Sequence, residues 1–245
     1  IITYKYRKLL WATFSVFFIM LSIGVLSALY DESFIRSILG DHYVDSTLDN
    51  ISNGDPAAVY NNGTSYGDIG SFLGITINNI RVGLLMYISG ITLGIGTIKI
   101  LFSNCIMLGS FLTMFYKEGV FTESMSAIWI HGAMEIFGMV IEASAGLLLG
   151  LGWLFPGTLS RKQAFLLTGK ESLMIVMSTI PFTIAAGLLE GFVTQYYNEM
   201  PFGGSLLIIF GTLGVISYYY LIYPIRRYNN IALRLEDIMV NNEEV

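Results

Sequence analysis

Apolar residues are grouped along this chain in long blocks, and polar residues gather between the blocks instead of recurring at amphipathic intervals. The first block, 9–29, spans about 30 Å at about 1.5 Å per residue, which matches the hydrocarbon core of a bilayer. The pattern predicts an all-α polytopic membrane helical bundle, with one transmembrane domain over 1–230 and a cytoplasmic tail at 231–245. About six transmembrane helices are expected, at 9–29, 82–98, 105–116, 127–155, 173–193 and 206–223.

The chain between the first two blocks, 30–79, is polar and acidic, and we expect it to form an extracytoplasmic segment. Short helices are predicted within it at 32–39 and 46–51. The first block is too long for the core of a cleaved signal peptide and is followed by acidic residues, so it is interpreted as a signal anchor.

The third block, 105–116, is short for a transmembrane helix, and the predicted topology depends on whether it crosses. The polar residues at 99–104 are interpreted as the turn of a hairpin, with Asn104 as a turn residue. If 105–116 were a re-entrant segment, every later loop would change sides of the membrane.

Composition agrees with a membrane protein and excludes one class of partner. With 54% hydrophobic and 13% charged residues, the chain carries more apolar surface than a soluble domain of this length buries. Its net charge is −5, and its basic residues stand at the ends of the apolar blocks, so no nucleic-acid partner is expected.

The basic residues also indicate an orientation. With six crossings and a cytoplasmic N terminus, ten of the thirteen fall on the cytoplasmic side, leaving Arg36, Arg81 and Lys117 outside. The positive-inside rule then predicts that both termini are cytoplasmic. The ten residues are Lys5, Arg7, Lys8, Lys99, Arg161, Lys162, Lys170, Arg226, Arg227 and Arg234.

An intramembrane polar cluster is predicted from the fourth and fifth blocks. At about 100° per residue, Glu135 and Glu142 lie within about 40° of His131 around the helix, so the three share one stripe. Glu190 of the antiparallel fifth block is expected at the depth of His131 and Glu135. Ionisable groups at this depth turn toward protein or water. Two interpretations stay open, a hydrogen-bonded network that locks helices together and a conduit, ligand or catalytic site.

Other candidates carry weaker signals. Asn78, Asn79 and Arg81 precede the second block and are predicted to cap its outer entry. No catalytic residue is assigned and no cofactor is expected, since the chain has no H-E-x-x-H spacing or cluster of cysteines. For a metal, only His131, Glu135 and Glu190 are weak candidates.

The sequence contains the phrases His131-Gly-Ala-Met-Glu135, Glu142-Ala-Ser-Ala-Gly146, Phe155-Pro-Gly157, Ser160-Arg161, Asn78-Asn-Ile-Arg-Val82 and Ala185 through Phe192. Together these phrases resemble the stage II sporulation protein M family. The outer-loop phrases around His42 and Pro56 further resemble members from Bacteroidota. Cys105 stands where the family commonly has glycine, and Glu142 stands where relatives have a small apolar residue, which favours His131, Glu135 and Glu190 as shared site residues.

The resemblance implies an integral membrane scaffold or assembly component of a bacterial envelope complex, located in the cytoplasmic (inner) membrane. The sporulation member holds a peptidoglycan-remodelling machine at the septum. Expected partners are membrane lipids and either other envelope membrane proteins or further copies of the chain. A transporter or channel subunit with a polar cavity is the alternative hypothesis, and an intramembrane metalloenzyme is the third, so whether the protein is an enzyme stays open.

Overall fold

The computed structural model describes residues 2–56, 58 and 69–231, and this part of the chain is helical without strands. Six of its helices are long and apolar enough to cross a membrane, so the predicted all-α bundle of about six spans is confirmed. The helices are α1 Ile2–Lys5, α2 Arg7–Tyr30, α3 Glu32–Leu39, α4 Asp41–Ser52, α5 Ile69–Ile88, α6 Ile95–Lys117, α7 Phe121–Leu154, α8 Arg161–Leu188 and α9 Phe202–Ser217. From 232 onward, the predicted tail and Arg234 lie outside the described residues.

Three of the long helices continue beyond these bounds through irregular turns. A 3₁₀ turn, Ser89–Ile91, follows α5. A π turn, Leu189–Val193, and a 3₁₀ turn, Thr194–Tyr196, extend α8, and a π turn, Tyr218–Ile222, extends α9.

The predicted bounds of the second and third spans were wrong. Helix α6 runs without a break through 99–104. Ser103 and Asn104 satisfy their polar side chains within it by donating hydrogen bonds to the carbonyls of Lys99 and Ile100. The turn of the hairpin lies earlier, where Leu93 and Gly94 have φ of 59° and 85°. The third span is therefore 23 residues long, which is enough for a full crossing.

Helix α5 likewise begins much earlier than predicted, at Ile69. Asn78, Asn79 and Arg81 consequently lie in the middle of a transmembrane helix, and the prediction that they cap its outer entry was wrong. The other four predicted spans overlap α2, α7, α8 and α9.

Helix α7 is the central element and packs against α2, α5, α6, α8 and α9. Its glycines allow the α5–α6 turn to approach the backbone: a Cβ on Gly150 would lie 2.6 Å from the carbonyl carbon of Leu93. Helices α2 and α6 meet in the same way, since a Cβ on Gly109 would lie 2.7 Å from the Val25 nitrogen. Small residues commonly permit such close packing in membranes.

The described part of the segment between α2 and α5 covers the Lys117 end of α6, and we call this side of the bundle the outer side. The predicted short helices are present as α3 and as part of α4. Asp31 caps α3 by accepting the Ser33 amide at 2.9 Å, and its hydrogen bonds to Ser33 lower the pKa of Asp31. Ile35 and Val44 pack into one buried cluster with Met114 and Phe115 of α6. The acidic segment is thus docked on the bundle through apolar contacts.

Candidate intramembrane polar site

Three ionisable side chains meet between α7 and the end of α8. The structure brings His131 and Glu135 of α7 together with Glu190 of the π turn, and their ligand-type atoms all lie within 4.8 Å of one another. His131 Nε2 is 4.0 Å from Glu190 Oε2. The π turn, an irregular feature frequent at functional sites, carries Glu190 at this junction.

Neighbouring polar groups orient two of these side chains. The Thr194 hydroxyl donates to the Leu189 carbonyl at 3.1 Å and lies 3.1 Å from His131 Nδ1. With the hydroxyl proton directed at Leu189, the Thr194 oxygen can accept from Nδ1–H in the tautomer of His131 that is protonated there. Asn79 donates to Glu135 Oε1 at 2.6 Å. Asn79 therefore supports the site from α5.

Glu142 lies apart from the cluster of three. Its Oε1 accepts a hydrogen bond from the Thr179 hydroxyl of α8 at 2.8 Å, and its side chain is buried against Gly83 of α5. A side chain at position 83 would overlap the carboxyl group. The shared stripe on α7 thus supplies two separate polar contacts, one at His131 and Glu135 and one at Glu142.

Two adjoining cavities connect these contacts. The outer cavity, about 500 Å³, is lined by His131, Glu135 and Glu190, and by residues of α3 and α4. The deeper cavity, about 380 Å³, is lined by Glu135, Glu142 and Asn104. Both share Asn78, Asn79, Met107, Leu108, Glu135 and Ile136.

The cavities exist because α5 leans onto α7 and α8 and packs less closely along α6. A gap is thus left between α5 and α6, and Asn78 of α5 and Met107 of α6 are exposed at its edge. Toward the inner side, a Cβ on Gly90 would overlap the Gly146 carbonyl, so in the described residues the α5–α6 turn closes tightly against α7. The polar space is therefore open in the outer half of the bundle.

Asn104 was missed as a site residue because it was assigned to a turn. An amide in an apolar stretch that is long enough to cross a membrane is the signal that could have found it.

Arg81 points away from the site, onto the exposed face of α5. Ile77 and Leu85, about one turn before and after it, are exposed by 62% and 48%. Among the described residues Arg81 makes no hydrogen bond or ion pair. The sequence pattern did not indicate this arrangement, because it placed Arg81 at the outer entry of the second span.

The fold and the site together define a six-helix integral membrane protein with a polar cavity and a His–Glu–Glu cluster between its helices. The chain belongs to the stage II sporulation protein M family, whose model matches residues 13–195. This range contains every residue of the cluster, together with most of α2 and the helices that follow it through α8. The predicted family resemblance is confirmed.

A curated relative is named only as an uncharacterized protein of Methanocaldococcus jannaschii. It is 31% identical over 125 residues, which are 50% of this chain and 55% of the relative. The alignment thus spans about half the length of that relative. No solved structure matches the chain at a significant level.

Proposed function

We propose that this protein is an assembly component of a bacterial envelope complex, and that it holds a partner membrane protein against the exposed face of α5. The observation that carries the proposal is Arg81, an exposed arginine near the centre of the span Phe72–Ile91 that has no partner among the described residues. Membership of the family, whose sporulation member is an envelope component, supports the same function.

An arginine in this position is costly in lipid. About 15 Å of helix separate it from either end of the span. Insertion scales assign about 2.5–3.5 kcal/mol to an arginine at the centre of a helix. A partner helix that places a carboxylate beside Arg81 offsets that cost with a charge-assisted hydrogen bond.

The acidic residue is expected from a different protein and not from a second copy of this chain. The carboxylates of the described spans at this depth, Glu135, Glu142 and Glu190, all turn into the bundle. The spans of a second copy would therefore offer no exposed carboxylate to Arg81. Gly74, two turns before Arg81, has open space around it and leaves room for a helix to approach closely.

We further propose the bacterial cytoplasmic membrane as the location, with both termini in the cytoplasm. Six full-length helices return the chain to the side on which it starts. Since Arg81 lies within a span, the predicted outer basic residues that remain are Arg36 in the outer segment and Lys117 at the outer end of α6, which agrees with the positive-inside rule.

The test is purification of the tagged protein at native expression in a mild detergent. We expect a defined partner to be retained by the wild type, partly retained by Arg81→Lys, and lost in Arg81→Gln. Lys99→Gln, an exposed base near the inner end of α6, is the matched control and should retain it.

A photo-crosslinking residue at Ile77 or Leu85 supplies the decisive measurement. The crosslinked peptide should be a transmembrane segment of a different protein that contains Asp or Glu, and neutralising that residue should release the partner. A monodisperse monomer, a crosslink to a second copy, or retention in Arg81→Gln would contradict the proposal.

The outer cavity and the deeper cavity favour a second candidate function, that of a transporter or channel subunit. Glu135→Gln and Glu190→Gln distinguish it from the first. If both variants fold and retain the partner yet fail to support function in cells, the polar cavity has a function beyond assembly, with transport as the candidate; loss of the partner in both indicates that the cavity supports assembly.

A further inference from the structure

We propose that His131, Glu135 and Glu190 form a binding site for a divalent transition-metal cation of the Zn²⁺ or Mn²⁺ class. The site would use the Nε2 atom of His131 and one oxygen of each carboxylate. It is independent of the exposed face of α5 and of any partner held there.

The separations of the ligand atoms suit a site that closes around an ion. Metal–ligand bonds of about 2.0–2.2 Å place tetrahedral ligand atoms about 3.3–3.6 Å apart. The three atoms lie within 4.8 Å of one another, so rotation of the two carboxylates brings them to that spacing. Movement of a helix is not required.

The electrostatics of the cluster favour a cation. The lone pair of His131 Nε2 and the oxygens of two carboxylates converge on one space, and all three are electron donors. No basic side chain of the described residues lines the two cavities. A cation in this space would be held by electron donors from all three residues.

The surrounding hydrogen bonds are those that metal ligands need. In metal sites the second ring nitrogen of a ligating histidine donates to an oxygen, and ligating carboxylates are themselves hydrogen-bonded. Here the Thr194 hydroxyl lies 3.1 Å from His131 Nδ1, where its oxygen can accept the ring proton, and Asn79 donates to Glu135. Thr194 and Asn79 are therefore assigned as positioning residues.

The donor set selects the class of metal. One imidazole nitrogen with two carboxylates suits Zn²⁺, Mn²⁺ or Fe²⁺, whereas Ca²⁺ and Mg²⁺ prefer oxygen ligands throughout. Three protein ligands leave at least one position for water from the outer cavity. The ion would enter from the outer side, beneath Ile38, Leu39 and Tyr43 of α3 and α4.

The test uses full-length protein purified in detergent, stripped with a chelator and titrated with ZnCl₂ or MnCl₂. We expect about one equivalent of bound metal and a rise in the temperature of unfolding, with no such rise in CaCl₂ or MgCl₂. His131→Gln and Glu190→Gln should abolish binding, and Asn79→Ala should weaken it about 10- to 100-fold. Glu142→Gln is the control in the adjoining cavity and should bind normally.

X-ray absorption spectroscopy of the loaded wild type tests the ligands without any variant. We expect a shell of nitrogen and oxygen atoms that includes one imidazole. Three results would overturn the proposal: no stoichiometric metal on the folded wild type, unchanged binding in folded Glu190→Gln, or a shell without imidazole.

Discussion

Individual polar side chains inside this bundle are held by specific donors on neighbouring helices. Glu142 is 7% exposed, and its carboxyl group accepts a hydrogen bond from the Thr179 hydroxyl. The Val176 carbonyl, on the same helix as Thr179, is an alternative acceptor for that hydroxyl. A buried carboxyl group that loses its donor bears the full cost of desolvation. The contact between Glu142 and Thr179 therefore fastens α7 to α8.

The substitution Thr179→Val tests this contact, because it removes the hydroxyl and keeps the shape. We expect the free energy of unfolding in detergent to fall by about 1–3 kcal/mol. Thr212→Val on α9 is the control, since the Thr212 hydroxyl bonds only carbonyls of its own helix, and it should change little. Replacing both partners, as Thr179→Val with Glu142→Leu, should restore most of the loss; an additive loss would show that the two side chains are not coupled.

At the scale of elements, the tightest junction lies between α7 and the α5–α6 turn. Gly90, Gly94, Gly146 and Gly150 let the backbones of the turn and the helix touch. The junction holds the inner ends of α5 and α6 together while their outer halves diverge around the cavity. The shape of the polar space is thus set by where glycine permits contact.

The substitution Gly150→Ala should disturb this junction. The added methyl group would overlap backbone atoms of Leu93 and Gly94, which cannot rotate away, so we expect a loss of about 1–3 kcal/mol in stability. Gly138→Ala on the same helix is the control, because a Cβ added there would meet no neighbouring atom within 4 Å, and alanine is the better helix former. Equal effects of the two substitutions on thermal unfolding in detergent would refute the packing argument.

At the scale of the whole molecule, the outer segment and the inner loops distinguish the two sides of the bundle. Helices α3 and α4 cover the outer cavity, and Tyr197 after α8 donates a hydrogen bond to Asp55 at 2.5 Å. The loop between α7 and α8 lies at the opposite end of the bundle, and Arg161 and Lys162 follow it in the first turn of α8. Sidedness therefore decides from which compartment the polar cluster is reached.

Labelling of single cysteines tests the proposed orientation. Cys105 is buried and should stay unlabelled in the folded protein. Asn53→Cys and Glu199→Cys, both exposed, should react with a membrane-impermeant maleimide on intact cells or spheroplasts. Thr158→Cys, exposed in the loop between α7 and α8, should react only after permeabilisation; labelling of Thr158→Cys in intact cells would reverse the orientation.

Much of this protein is determined by its sequence alone. Blocks of apolar residues require helices that satisfy their own backbone hydrogen bonds in lipid, so the class of fold and the number of spans follow directly. Helical periodicity likewise places His131, Glu135 and Glu142 on one stripe. Characteristic phrases around these residues indicated the family.

Other features were decided only by tertiary structure. Polar residues within α5 and α6 looked like helix ends, because hydropathy does not show that Asn79 bonds Glu135 or that Asn104 faces a cavity. The same limit hid the exposure of Arg81 at membrane depth. Helical periodicity also grouped Glu142 with His131, whereas their partners on neighbouring helices differ. The Thr179 hydroxyl donates to the Glu142 carboxyl group, and the π turn after α8 brings Glu190 next to His131 and Glu135. The sequence of one helix determines which side chains project from the same face, and the packing of the other helices decides which residues those side chains contact.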